Sequence, residues 1–252
     1  MKFSTVSGTL AALALAWSSA THATPSDWGE LHQRLDQARA ERDPAALAGL
    51  GRGIAGSGLE PEAWRHYWTA YAAYRRGLFA DDERMREQAF GQCTEDAAAA
   101  MDAGESSGES QALRGACFSQ LAGMGPTAGM RYGSRAASAI DTALADAPDN
   151  PRALLVAGTQ DLYTPEQWGG DKKRAVRRLQ RALSRFEQHA AVGRDRPWSP
   201  SWGRVDAFGQ LAIALHRLGR ADEARAVLAR ARRSGLRSEW LAGIARRLQA
   251  GE

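Results

Sequence analysis

Two adjacent glycines followed by cations are the first residues whose spacing could do chemistry. In the stretch YTPEQWGGDKKRAVRRLQRA, residues 163–182, Gly169 and Gly170 come shortly before Lys172. A P-loop needs G-x-x-x-x-G-K-[ST] after a buried strand, and the dinucleotide fingerprint needs G-x-G-x-x-G. Neither pattern is present, because the glycines are adjacent and no Ser or Thr follows the lysines. We therefore interpret Asp171 as the N-cap of a helix and not as part of a nucleotide site.

The remaining chemistry-bearing side chains are scattered along the chain. After residue 23 the histidines are His32, His66, His189 and His216, and no two of them lie at helical spacing. The sequence contains no H-E-x-x-H zinc motif, no C-x-x-C pair and no thiolate cluster. We therefore expect a protein that is not an enzyme and that has no cofactor and no metal site.

The two cysteines flank a predicted turn. Cys93 and Cys117 each lie twelve residues from Glu105, which belongs to the turn-like stretch GESSGES. Positions equidistant from the turn of an antiparallel helical hairpin lie at the same height. A disulfide there would close a loop of 24 residues and contribute roughly 3 kcal/mol to stability. Two buried free thiols are the alternative, and an oxidising compartment favours the disulfide.

The N-terminus has the pattern of an export signal. Lys2 precedes a short apolar stretch, and THA, ending at Ala23, is a typical cleavage site. The apolar stretch is shorter than the roughly 20 residues that cross a bilayer. We therefore predict a signal peptide over residues 1–23 and a periplasmic protein of a Gram-negative bacterium, with no transmembrane segment in the mature chain.

The charge is distributed unevenly along the mature chain. Residues 24–150 contain 12 Lys and Arg and 19 Asp and Glu, whereas residues 151–252 contain 20 and 10. Such asymmetry bears on partners and association, not on fold. It leaves open a self-association in which the basic half of one molecule meets the acidic half of another.

Apolar residues recur at i, i+3, i+4 and i+7 in alanine-rich segments, and no segment alternates like a strand. The pattern predicts an all-α protein of antiparallel helix pairs with short connections. The predicted helices cover 27–40, 43–55, 60–78, 82–103, 108–122, 128–147, 151–163, 171–188, 202–218, 221–234 and 237–249.

An internal repeat occurs in the second half of the chain. A triplet of Ala, an aliphatic residue four positions on and Ala three further on occurs three times, as Ala136–Ile140–Ala143, Ala175–Leu179–Ala182 and Ala224–Leu228–Ala231. Small residues let two helices approach closely, and the aliphatic side chain fills the gap between them. The triplets therefore indicate repeated helix pairs.

The repeat resembles the tetratricopeptide repeat (TPR). In the last unit, Leu211, Ala212 and Leu215 precede the turn glycine Gly219 and the triplet that begins at Ala224. The spacing between units is longer than the usual ~34 residues. The resemblance covers residues 128–235 and implies a TPR-like right-handed α-solenoid of antiparallel helix pairs with irregular insertions. We expect residues 24–127 to form divergent helical hairpins and residues 128–252 TPR-like repeats, in one continuous solenoid.

The same resemblance implies a function. TPR proteins bind peptides or protein segments in the concave groove, so we expect a non-enzymatic protein–protein interaction module. The family's groove-lining positions correspond here to Arg152, Thr159, Tyr163, Asp206, His216 and Arg217.

Two further surfaces are candidates for recognition. The first is a basic face on the predicted helix 171–188, which favours an anionic envelope component as the alternative ligand; a solvated outer surface is the other interpretation. Its residues are Lys173, Arg174, Arg177, Arg178 and Arg181. The second consists of the aromatic residues predicted on loops, Trp168, Trp198 and Trp202, which serve either recognition or the filling of gaps. No nucleic-acid partner is expected.

Overall fold

The computed structural model describes residues 24–192 and 196–250, so the predicted signal peptide lies outside the described residues. This part of the chain contains eleven α-helices and no strand, which confirms the predicted all-α class and every predicted helix to within about four residues at each end. The helices are α1 (Trp28–Glu41), α2 (Pro44–Ala55), α3 (Glu62–Phe79), α4 (Glu83–Asp102), α5 (Glu109–Ala122), α6 (Pro126–Asp146), α7 (Pro151–Tyr163), α8 (Lys172–Val192), α9 (Arg204–Arg217), α10 (Ala221–Arg233) and α11 (Glu239–Ala250).

Side-chain caps explain where several helices begin. The carboxylates of Asp27, Asp43 and Asp82 accept hydrogen bonds from backbone N–H groups in the first turns of α1, α2 and α4. Asn150 does the same for α7, and Pro151 occupies the position after it. A capping side chain satisfies N–H groups that have no partner within the helix, and proline is tolerated there because it lacks that N–H.

Each helix packs on the next one in the chain, and a second set of contacts skips one helix. From α3 onward the odd-numbered helices also contact each other, α3 with α5, α5 with α7, α7 with α9 and α9 with α11. The odd-numbered helices therefore form a row, and the even-numbered helices pack against that row.

The repeated triplets are buried within the packed helices. All nine residues of the three triplets are buried. A Cβ atom at Gly115 of α5 would lie 2.6 Å from the Ile140 side chain of α6, and one at Gly158 of α7 would lie 2.7 Å from Leu179 of α8. The aliphatic residue of each of these two triplets therefore occupies the space that a side chain on the odd-numbered helix would fill.

The core is shared by both halves of the chain. One hydrophobic cluster contains buried residues from Trp28 in α1 to Leu248 in α11. The predicted disulfide is confirmed: Cys93 of α4 and Cys117 of α5 are bonded, with their Cα atoms 6.2 Å apart. It joins the two helices on either side of the turn that the sequence predicted. No helix in the described residues is long and apolar enough to cross a bilayer.

Candidate ligand-binding site

The segment before α9 fills the space between the first and last thirds of the chain. The Trp202 ring is buried, stacks on Tyr71 with ring centroids 5.1 Å apart, and donates its indole N–H to the Tyr67 hydroxyl at 2.8 Å. The carbonyl oxygen of Trp198 accepts a hydrogen bond from the Trp68 indole at 2.9 Å. Trp198 and Trp202 therefore fill a gap between α3 and the start of α9, which is one of the two alternatives that the sequence left open.

Arg152, which was predicted to line a peptide groove, lies in this buried region. Its guanidinium forms two hydrogen bonds of 2.6 Å to the Glu109 carboxylate and a third, of 3.2 Å, to the carbonyl of Trp202. Both charged side chains are only 6% exposed. Asn150 adds a hydrogen bond from its amide to Glu109 at 2.8 Å. The Arg152 side chain is therefore buried and hydrogen-bonded within the chain, in contrast to the expectation that it is available to a partner.

This environment shifts the pKa values of Arg152 and of the neighbouring Tyr67. Burial alone would lower the pKa of Arg152, but the Glu109 carboxylate raises it above its ordinary value. Burial also raises the pKa of the Tyr67 phenol well above its usual range, and Glu109 adds to this. Tyr67 therefore remains protonated and can donate to Glu109 while it accepts from Trp202.

The other predicted groove residues form two separate contacts. Tyr163 and Arg217 are both exposed, and the Arg217 guanidinium lies 4.6 Å from the centroid of the tyrosine ring. Asp206 lies 3.6 Å from Arg75 in a longer ion pair. Thr159 donates its hydroxyl to the carbonyl of Leu155 within α7, and the Nδ1 atom of His216 is buried without a hydrogen-bond partner in the described residues. These residues do not form one continuous recognition surface.

The predicted basic face of α8 is largely neutralised by carboxylates of the same chain. The buried Asp161 accepts hydrogen bonds from both Arg174 and Arg178, at 2.7 Å and 2.8 Å. Asp149 accepts one from Arg181 at 2.5 Å. Of the five predicted residues, Lys173 and Arg177 remain exposed without an ion pair in the part of the chain that the structure describes.

The turn between α4 and α5 has the sequence GESSG, residues 104–108, which matches the G-x-S-x-G pattern of serine hydrolases. That pattern requires a strand-to-helix turn, whereas this turn joins two helices. The Glu105 carboxylate accepts hydrogen bonds from the backbone N–H groups of Ser107 and Ser110. The motif therefore forms a helix-to-helix turn, and its geometry gives no nucleophile.

An open groove lined mostly by polar residues lies between α5 and α6. Its volume is about 490 Å³, within the usual range for small-molecule sites. We call it the α5–α6 groove, and it is lined by Gln111, Arg114, Phe118, Ser134, Arg135, Ser138 and Ala139.

A second depression, of about 280 Å³, adjoins it at the beginning of α4 and α6. Leu121, Met124 and Tyr132 are among the residues that line it, and so are the two carboxylates Glu83 and Glu87. The rings of Phe118 and Tyr132, one from each depression, are stacked with centroids 6.2 Å apart and 23° between their planes. The Phe118 ring is largely buried and the Tyr132 ring is partly exposed, so the two depressions meet at this stacked pair.

Three arginines surround these two rings. The Arg114 guanidinium lies 5.4 Å from the Phe118 centroid, and those of Arg131 and Arg135 lie 5.2 Å and 5.9 Å from the Tyr132 centroid. None of the three forms an ion pair with a carboxylate in the described residues. Cation–π contacts orient the guanidinium groups without neutralising them, so their charge is available to an anion.

Two polar atoms in the α5–α6 groove have no partner. The Nε atom of Arg114 and the Oε1 atom of Gln111 are buried, and neither has a hydrogen-bond partner among the residues described. A buried polar atom without a partner costs free energy. The described residues contain no group of three or more His, Cys, Asp or Glu side chains that could hold a metal ion.

The motifs of the sequence do not point to this candidate site, but the spacing of its basic residues carries a signal. Arg114, Arg131 and Arg135 are the only basic residues between Arg86 and Arg152. Each lies within four positions of Phe118 or Tyr132. Because this half of the chain is acidic overall, three arginines that cluster around two aromatic residues stand out from their surroundings.

Comparison with known proteins gives one informative likeness. The solved structure of the HusA haemophore from Porphyromonas gingivalis is similar to this chain, with a TM-score of 0.61 and 25% sequence identity. The similarity covers 75% of this chain and 92% of that one. No protein-family model matches this chain, and no curated protein matches it. The likeness to a haemophore is consistent with a binding protein and with export. The disulfide is consistent with export.

Proposed function

We propose that this protein is an exported, non-enzymatic carrier of a flat, apolar and anionic ligand of the haem class, bound at the α5–α6 groove. The observation that carries the proposal is the stacked pair of Phe118 and Tyr132 beside three arginines that have no carboxylate partner in the described part of the chain. The similarity to a haemophore supports the same ligand class.

The chemistry of haem matches this composition. Its macrocycle is a broad apolar plane, for which the partly exposed Tyr132 ring, supported by the buried Phe118 ring, offers a contact. Its two propionates are carboxylates, which planar guanidinium groups bind with paired hydrogen bonds. Tyr132 also supplies a phenol oxygen, one of the side-chain groups that ligate haem iron.

We further propose that the helix pairs stack as a TPR-like solenoid and that the protein works in the periplasm. The row of odd-numbered helices, with the even-numbered helices packed against it, supports the first statement. The Cys93–Cys117 disulfide supports an oxidising compartment. A peptide in the concave groove is a weaker candidate, because Arg152 and Trp202 are buried there against each other and against α3.

The test is a titration of the purified protein with haemin and, separately, with iron-free protoporphyrin IX, followed by absorbance. We expect saturable binding of both, because the macrocycle and the propionates are common to them. Replacing Arg114→Gln or Arg135→Gln should weaken binding at least about tenfold each, since each loses a charge-assisted hydrogen bond. Tyr132→Ala should weaken the binding of both haemin and protoporphyrin IX.

The variant Tyr132→Phe separates two roles of that residue. It keeps the ring and removes the phenol, so a changed Soret band with haemin but unchanged protoporphyrin binding would show that the phenol ligates the iron. The matched control is the double variant Arg220→Gln with Arg225→Gln, which removes two positive charges that are already paired with Glu223 and Asp222. If neither porphyrin bound, or if the control weakened binding as much as the groove variants, the proposal would be wrong.

A further inference from the structure

The turn that precedes α8 holds an exposed tryptophan on a tightly constrained backbone. We call residues 165–171 the Trp168 turn. Gly169 has a φ of 92°, in the left-handed region, and a Cβ atom at Gly170 would lie 1.7 Å from the carbonyl oxygen of Thr164. Both positions therefore require glycine, which is the reason for the adjacent glycines of the sequence.

Hydrogen bonds hold the Trp168 turn from both sides. The backbone N–H of Gly170 donates to the carbonyl of Pro165 at 3.1 Å, and that of Asp171 donates to the carbonyl of Asp161 at 3.0 Å. The Arg174 guanidinium donates to the carbonyl of Gly169 at 2.6 Å and to the Asp161 carboxylate at 2.7 Å. The turn is therefore fixed before any partner arrives, which reduces the entropy cost of binding.

Trp168 itself is 75% exposed. The other two aromatic residues that the sequence analysis placed on loops, Trp198 and Trp202, pack against the rest of the chain. Packing within the chain does not explain why this turn holds a large apolar ring in solvent. The ring is therefore a candidate contact for something outside this chain.

Two cations without an ion pair among the described residues follow the Trp168 turn, at the start of α8. Lys173 and Arg177, four residues apart on the first two turns of α8, are exposed and have no ion pair within the described ranges. The neighbouring cations are occupied, Lys172 by Glu166 and both Arg174 and Arg178 by Asp161. Asp171, the remaining carboxylate of the turn, accepts hydrogen bonds from the backbone N–H groups of Lys173 and Arg174 and attracts Arg177. Two cations therefore stand against one carboxylate, and the balance of these three charges is positive.

We propose that the Trp168 turn, with Lys173 and Arg177, docks the protein on an anionic phospholipid membrane. Tryptophan favours the headgroup level of a bilayer, and lysine and arginine are attracted to anionic headgroups. A protein partner fits less well, because Trp168 and Tyr163 are the only large apolar side chains that the described part of the chain exposes at this end of α7 and α8. Protein interfaces surround such an anchor with a wider desolvated area.

The experiment is co-sedimentation with vesicles of phosphatidylcholine alone and of phosphatidylcholine with about one third phosphatidylglycerol, enough to give a negative surface potential. We expect partition to the anionic vesicles only, weakening as salt is raised. Trp168→Ala should lower the partition coefficient at least about tenfold, since it removes the apolar contact. The double variant Lys173→Gln with Arg177→Gln should lower it about twenty-five-fold at low salt, from about a fivefold loss for each cation.

Matched controls keep the test specific to this surface. Met85→Ala removes an exposed apolar side chain of α4, and Arg220→Gln with Arg225→Gln removes two paired cations; both variants should partition like the unaltered protein. Failure to bind anionic vesicles, equal binding to both vesicle types, or unchanged binding by Trp168→Ala would overturn the proposal. Porphyrin binding should be the same in all these variants, so this proposal and the proposed function fail independently.

Discussion

The α8 face and the α5–α6 groove both contain clustered arginines, yet they leave the charge of those arginines in opposite states. On α8, Asp161 and Asp149 neutralise most of the basic side chains. In the α5–α6 groove, Arg114, Arg131 and Arg135 lie over aromatic rings, and no carboxylate of the described residues neutralises them. A count of basic residues therefore does not locate the available charge by itself, because what matters for an anionic ligand is the charge that the fold leaves unpaired.

Arg152 shows the same contrast in the interior, where an arginine without a counter-ion would lower the stability most. Glu109→Gln keeps the shape of the side chain but leaves the buried Arg152 charge without its counter-ion. We expect the free energy of unfolding to fall by about 3–5 kcal/mol, because an uncompensated buried charge is strongly destabilising. Urea denaturation measures it, with the exposed Glu95→Gln of α4 as control. A loss no larger than that of the control would contradict a buried, charged Glu109–Arg152 pair.

The α5–α6 groove and the α8 face also differ in the interactions that attach their helices to the rest of the fold. The Cys93–Cys117 disulfide joins α4 to α5, the helix that carries Arg114, whereas ion pairs hold the α8 face. Replacing both cysteines by alanine should lower stability by about 3 kcal/mol, from the closure of a 24-residue loop.

A salt series distinguishes these two kinds of constraint. Added salt should leave the loss caused by the cysteine variant nearly unchanged, since a covalent bond is not screened. Denaturant unfolding with and without salt checks this. A loss that disappeared at high salt would show that the disulfide is not what stabilises this hairpin.

The arginines of α8 can be put in the same unpaired state as those of the α5–α6 groove by removing their carboxylate partners. Asp149→Asn together with Asp161→Asn frees Arg174, Arg178, Arg181 and Arg185 from their carboxylates. We expect the protein to be retained on heparin to a higher salt concentration. We also expect its free energy of unfolding to fall, mainly because the buried Asp161 loses its two ion pairs.

The control for this change is Asp102→Asn with Asp146→Asn, which alters the net charge equally at two exposed positions. It should shift the elution less than the α8 variant does. Equal shifts in the two variants would mean that net charge, and not unpaired arginine, determines retention.

The smallest expected effect concerns pH. Hydrogen bonds from Arg181 and Arg185 hold the pKa of Asp149 below its usual value. A carboxylate whose pKa is lowered by folding stabilises the protein above its ordinary pKa and loses that contribution as the pH falls through the lowered value. The stability difference between the protein and Asp149→Asn should therefore be present at neutral pH and vanish in acid. A difference that grew on acidification would contradict this ion pair.

The sequence was most informative where local patterns decide the structure. Aspartate and asparagine caps, proline at helix starts and the apolar period located all eleven helices of the described residues. The turn before Ser110 located the hairpin, and the equal distance of Cys93 and Cys117 from Glu105 predicted their bond. These features depend on contacts between residues close in the chain or symmetric about one turn.

The candidate site could be predicted only in part, because ion pairing depends on distant residues. Arg178 lies 17 residues from Asp161, and Arg152 lies 43 from Glu109. No periodicity in the sequence shows that these side chains meet. The same holds for Trp202, which reaches Tyr67 across 135 residues and is therefore buried, whereas Trp168 remains exposed.

The sequence by itself determined the helices, their order, the disulfide and the turn that the adjacent glycines form. Only the tertiary structure decided which charges and rings are left over. Helix formation and capping are local and leave a periodic record in the sequence. The neutralisation of a charge requires a partner brought close by packing. Within the described residues, the fold supplies Asp161 to Arg174 and Arg178 while supplying no carboxylate to Arg114.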